Sequence, residues 1–113
     1  MSVSSLGHEL FSNIREFTHA ALDGLPPDAL TWRVDPDANT IAWLAWHLAR
    51  VQDDHVAGLA GSEQVWVRDG WAVRFGLAAD EMRIGYGDDR DDVAEIAPAD
   101  EQVLTGYLDA VTE

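Results

Sequence analysis

An all-α helical bundle is the fold this sequence predicts, and three observations predict it. Apolar residues recur at spacings of three and four in three separate segments. Each segment opens on a residue suited to cap or begin a helix. Pro and Gly cluster between the segments, where a helix cannot continue. The chain has 113 residues, enough for one domain spanning 1–113, and no internal repeat or low-complexity linker divides it. Apolar residues make up 47% of it, five of them tryptophan, which is ample for a core and argues against disorder.

The first segment predicts a helix from about Ser5 to Leu22, with Leu6, Leu10, Ile14, Phe17 and Ala21 as its stripe. Ser4 or Ser5 suits its start, Gly24 its left-handed end, and Pro26 and Pro27 stop any continuation. Asp28 to Asn39 reads as a loop with a short turn at Pro27–Leu30, its Trp32 and Val34 tucked against the core. The second helix runs from Ile41 to Ala60, opened by Thr40 and closed by Gly61. Its continuous stripe is Ile41, Leu44, Leu48, Val51, His55 and Leu59. Between Ser62 and Ile96 the pattern is less regular. Asp69 is placed to cap a short helix carrying Trp71 and Phe75, ended by Gly76. Asp88 to Asp92 reads as a solvated acidic run. A third long helix begins near Pro98, carries Val103, Leu104, Tyr107, Leu108 and Val111, and runs to Glu113. No Gly, Asn or basic residue closes it, so the expectation is a bundle that lacks its last helix and is incomplete at the C-terminus.

Charge and composition exclude several function classes. The net charge is -14, all seven cationic residues are arginine, and lysine is absent. Such a surface repels phosphate backbones and anionic lipid, so neither nucleic acid nor a membrane is an expected partner. Without cysteine there is no disulfide, zinc-thiolate site or thiol nucleophile in the chain. Any metal must be held by His, Asp or Glu. No signal peptide and no apolar run of about 18 residues appears, so the expected location is cytoplasmic. Gly85 to Asp88 lacks the lysine of a phosphate loop, and the acidic run lacks the spacing of a calcium loop.

Histidine is where chemistry can sit. His8 and His19 lie opposite the first helix's stripe, roughly 16 Å apart at ~1.5 Å per residue, and face solvent as unrelated surface residues. In the second helix His55 falls on the apolar stripe, which suits a core histidine with a hydrogen-bond partner. His47 falls on its flank beside Trp43, Val51 and Asp54, which suits either an interface residue or a ligand at a pocket edge. Neither has a His, Asp or Glu three or four residues away, so this helix cannot form a two-ligand site alone. Trp46, Trp66 and Trp71, like Trp43, suit either a pocket or partner interface or a second packed layer in which Ser62–Leu77 covers the second helix.

The stretch Thr40-Ile-Ala-Trp-Leu-Ala-Trp-His-Leu-Ala-Arg-Val-Gln-Asp-Asp-His55 resembles the helix signature of the DinB-like (YfiT-like) superfamily of metalloproteins. It is most similar to the subgroup of mycothiol-dependent transferases and the N-terminal domain of mycothiol-dependent maleylpyruvate isomerase. Trp66-Val-Arg-Asp-Gly-Trp-Ala-Val-Arg-Phe-Gly-Leu77 and Leu104-Thr-Gly-Tyr-Leu-Asp-Ala-Val111 agree with it in order and spacing. The resemblance implies a four-helix bundle with a divalent metal, zinc or nickel, held by three residues, usually histidines. His47 matches the ligand from the second helix; the other two come from a last helix that this sequence lacks. It also implies mycothiol or another low-molecular-weight thiol as a cofactor, which would supply the sulfur this chain lacks, and a small-molecule substrate. Trp43, Val51, Asp54 and His55 would then line the pocket or stand behind the ligand. The competing expectation is a non-catalytic module that has lost its metal and binds a small ligand, a partner or, as a homodimer, a second copy across its open apolar groove.

Overall fold

The computed structural model describes residues 2–112, and every regular element among them is helical. The first helix, α1 (Val3–Leu22), starts earlier than the apolar stripe suggests because Ser2 caps it. The Ser2 hydroxyl accepts from the Ser5 amide at 3.0 Å, and the Ser5 hydroxyl accepts from the Ser2 amide at 2.9 Å. Gly24, at φ 75°, turns the chain as expected. A single turn, α2 (Pro27–Leu30), follows and buries Leu30. Trp32 and Val34 do not tuck in: they are 65% and 78% exposed, and the buried apolar residue of this stretch is Leu30.

The second long helix, α3 (Ile41–Ala60), has the limits and caps its sequence predicts. The Thr40 hydroxyl accepts from the Trp43 amide, and Gly61 is left-handed. Its orientation is the opposite of the prediction. Trp46, Ala49, Arg50, Asp53 and Ala57 are buried, whereas Ile41, Leu44, Leu48, His55 and Leu59 face outward. Both sides of this helix are apolar, and partners remote in sequence decide which side turns in.

Three short helices follow: α4 (Val65–Arg68), α5 (Trp71–Arg74) and α6 (Arg90–Ala94). Asp69 does not cap the start of α5: it closes α4, its amide donating to the Val65 carbonyl, and pairs with Arg68, while left-handed Gly70 leads into α5. The acidic run is not simply solvated, because Asp89 caps α6 by accepting from the Asp91 and Asp92 amides. The last helix, α7 (Glu101–Thr112), begins after Pro98, where Asp100 accepts from the Gln102 and Val103 amides; the predicted end at Glu113 lies outside the described residues. It packs between α1 and α3, and α4 rests on both α3 and α7. Trp71 fits against it only because position 106 is glycine: a Cβ there would stand 2.8 Å from the Trp71 ring.

Inside the aromatic cluster of Trp46, Trp66, Phe75 and Tyr107 lies a buried ion pair. Asp53 accepts from the Val65 and Trp66 amides at 2.9 and 2.8 Å and from the Tyr107 hydroxyl at 2.6 Å. Val65 and Trp66 open α4, so a carboxylate from α3 satisfies the amides its first turn leaves free. Arg50 donates to the Glu81 and Arg83 carbonyls at 3.1 and 2.9 Å and to the Tyr107 oxygen at 3.2 Å, and its guanidinium lies 5.1 Å over Trp66. Desolvating both ions costs several kcal/mol each, which only a network this complete offsets.

Two outcomes follow from the network. Asp53→Ala leaves Arg50 buried without its counter-ion and should lower unfolding stability by about 3–5 kcal/mol in urea titration; an unchanged midpoint would refute the network's role. Burial, reinforced by the bond to Asp53 and opposed by Arg50, raises the Tyr107 pKa above its ordinary 10.0. The folded state therefore keeps a proton that the unfolded state releases, so this contribution is complete below pH 10 and is lost as pH rises beyond it. With no lysine or cysteine to titrate there, the alkaline loss of stability should shrink in Tyr107→Phe; an identical alkaline limb would contradict it.

Candidate functional site around His47

His47 sits in the second turn of α3, half-buried, on the border between the inward and outward faces. Its Nδ1 lies 2.5 Å from the Ile84 carbonyl. A carbonyl only accepts, so Nδ1 carries the hydrogen, and in the neutral ring Nε2 keeps its lone pair. Nε2 has no hydrogen bond among the described residues. The indole of Trp43, one turn earlier, stacks on the imidazole at 4.7 Å and 17°, and Tyr86 meets it edge-on at 4.9 Å. The ring is thereby fixed on one face, at one edge and at one nitrogen.

The wall that fixes it is the 84–88 segment. Trp43 Nε1 donates to Asp88 Oδ2 at 3.0 Å, and Arg83 lies 3.8 Å from the same carboxylate. Arg83 also bonds Glu95 at 2.8 Å and covers the Trp46 ring, so it braces the segment from below. Gly85 has φ 111° and is buried against the histidine; a Cβ there would overlap the His47 ring and come within 3.1 Å of Trp43. Only glycine permits both that backbone conformation and that approach.

The expected site residues divide. Trp43 and His47 come together as the one-turn spacing requires. Val51 is half-buried on the same helix, and its carbonyl accepts from His55 Nδ1 at 2.8 Å. Asp54 turns to Gln64 at 3.0 Å and lies 3.6 Å from His55, so these two form a separate pair away from the His47 ring. His55 is not a core histidine: its side chain is 61% exposed. His19, expected to be unpaired in solvent, bonds Asp109 of α7 at 2.6 Å, while His8 is exposed. Sequence reading missed Ile84, Gly85, Tyr86 and Asp88. Their signal was the Gly-Tyr-Gly spacing, which marks backbone that approaches something closely.

As a metal centre the site is incomplete. Among the described residues no three His, Cys, Asp or Glu side chains converge. A catalytic zinc site takes three protein ligands, of which His47 would supply one. The residues described do not by themselves fit the three-ligand centre that the resemblance implies.

The family model for the DinB superfamily matches residues 10–113. No curated protein matches. Among solved structures, the chain is similar to a conserved protein from Enterococcus faecalis, with a TM-score of 0.86 and 26% sequence identity. The alignment covers 99% of this chain, which spans 66% of the length of that protein.

Gly85→Ala should displace the loop or the imidazole and free Nδ1 from the Ile84 carbonyl. Nitrogen-detected NMR of the ring reads this directly: the wild type should show the Nδ1–H form, and the variant a tautomer mixture. Overpacking should also cost about 1–3 kcal/mol. An unaltered His47 spectrum in the variant would show that the close approach does not hold the ring.

Proposed function

This chain belongs to the DinB superfamily, and from that premise we propose that it provides the pocket wall and one metal-binding nitrogen of a low-molecular-weight-thiol transferase. The observation that carries the reading is the state of His47. Its Nδ1–H is committed to a backbone carbonyl, its ring is held by Trp43 and Tyr86, and its Nε2 lone pair is uncommitted. That is how a metal-ligating imidazole is oriented: the second nitrogen fixes the tautomer and raises the basicity of the first. In this reading the cofactors are zinc or nickel and a thiol such as mycothiol, and the substrate is a small electrophile. The chain's own part is to aim Nε2, to screen one side of it with Trp43 and Tyr86, and to hold the wall rigid through Asp88 and Arg83. The centre needs two more donors than the described residues bring together.

A second reading, a ligand-binding module without turnover, draws support from that same shortage of converging donors. Metal content and activity distinguish the two. In the protein as its gene encodes it, His47→Ala should reduce bound zinc or nickel to background and lower transfer of a thiol to an electrophilic dye by roughly 100-fold or more. A variant with unchanged metal and activity would sink the metal reading. A wild type that binds no metal, yet shows saturable quenching of tryptophan fluorescence by a small molecule, would favour the module.

A further inference from the structure

A small recess lies where the loop after α2 meets the start of α3 and the end of α6. It measures about 190 Å³, and its lining includes Thr31, Arg33, Thr40, Val93, Ile96 and Ala97. Arg33 ties these segments together. Its guanidinium donates to the Pro36 carbonyl at 2.9 Å and to the Arg90 carbonyl, 57 residues away, at 2.6 Å. The recess is therefore enclosed by the chain's own packing and is not a bare face between long helices. Those two bonds use two of the five N–H groups that arginine carries. The other three have no acceptor among the described residues. The chain holds 21 Asp and Glu. Arg50, Arg68 and Arg83 each pair with one of them, whereas no described carboxylate pairs with Arg33.

Thr40 brings a second unmet donor to the same recess. It is 2% exposed, and its hydroxyl oxygen accepts from the Trp43 amide at 2.9 Å. Its own O–H finds no acceptor among the described residues. A buried donor left so costs free energy, which a ligand oxygen would recover. Thr40 also stands at the positive end of α3, whose first turn holds no acidic residue. Guanidinium, hydroxyl and helix dipole all favour an anion. Apart from Thr31, whose hydroxyl is spent on the Pro27 carbonyl, the rest of the lining is aliphatic. We propose that this recess binds the carboxylate of a small aliphatic acid. Arg33 and Thr40 donate to its oxygens, and Val93, Ile96 and Ala97 meet its hydrocarbon. Inorganic phosphate would leave that aliphatic lining unmatched. The net charge of -14 does not forbid an anion here, because charges farther than about 8 Å are screened at physiological salt. Binding in the recess asks nothing of His47, so it stands or falls apart from the metal reading.

NMR of the protein as its gene encodes it, titrated with butanoate, tests this. Saturable shifts are expected in the Val93, Ile96 and Ala97 methyls and in the Arg33 Nε–H. Butanamide has the same shape without the charge and should bind about tenfold to a hundredfold more weakly, the range for a hydrogen bond to a charged group. Phosphate should also bind more weakly than butanoate. Arg33→Gln should weaken butanoate by a similar factor. Because Arg33 also ties the loop in place, a second variant is needed that leaves the guanidinium and the hydroxyl untouched. Ala97→Leu fills the recess and should abolish binding with an unchanged unfolding midpoint. No saturable shift at millimolar butanoate would overturn the proposal. So would butanamide or phosphate binding as well as butanoate, or an Ala97→Leu protein that binds as the wild type does.

Discussion

The rest of the fold depends on a guanidinium with no access to water. Arg50 is fully buried, and a buried cation is tolerated only where every donor finds an acceptor. Its acceptors come from three places: Asp53 on its own helix, Tyr107 on α7, and the carbonyls of Glu81 and Arg83 in an irregular stretch. Asp53 adds a fourth by capping the start of α4. Helices of four or five residues, such as α4, α5 and α6, have too few internal bonds to persist alone. The ion pair gives α4 and the 81–83 stretch fixed points of attachment. An apolar core of equal volume would stabilise as well, but it would not specify where those segments sit.

The candidate site inherits that placement. The carbonyl that fixes the His47 tautomer belongs to Ile84, next to the Arg83 carbonyl held by Arg50. Gly85 presses on the imidazole, and Asp88 holds the Trp43 indole three residues further on. The chain of cause runs from a buried charge, to a positioned loop, to a ring with one nitrogen committed and the other open. The network is not perfectly economical. Trp46 Nε1, Trp66 Nε1 and Gln64 Oε1 are buried without a partner, and each such group costs about 1–3 kcal/mol. The aromatic bodies of the two tryptophans offset this through the surface they bury.

Local signals in the sequence were legible where the physics is local. Thr40, Gly24, Gly61 and Gly76 marked helix ends correctly because capping and left-handed turns involve only near neighbours. The i, i+4 spacing of Trp43 and His47 put the two rings together for the same reason. The orientation of α3 was not legible. Its aliphatic row, Ile41, Leu44 and Leu48, is the more regular stripe, and hydrophobic periodicity alone selects it. The side that turns in contains Arg50 and Asp53, which look like surface residues until Tyr107 and the 81–83 carbonyls arrive from far along the chain. His55 was misplaced with that stripe. Tyr86 and Asp88 were missed because a loop's contact with a helix 40 residues earlier leaves no periodic trace.

A helix that turns its tryptophans and charges inward and its aliphatics outward has its sectors close together. With side chains it is only about 10–12 Å across, and His47 stands between the inward Trp46 and the outward Leu48 in both sequence and angle. Whatever covers Leu44 and Leu48 therefore borders the half-exposed edge of His47. Covering that row lowers the water content around that edge, and a drier surrounding strengthens each charge and dipole near the imidazole. The aliphatic row and the oriented histidine are thus neighbouring parts of one surface. The solvent access of His47 depends on what occupies the aliphatic side of α3, even though the hydrogen bond that fixes its ring comes from the opposite side, through Ile84.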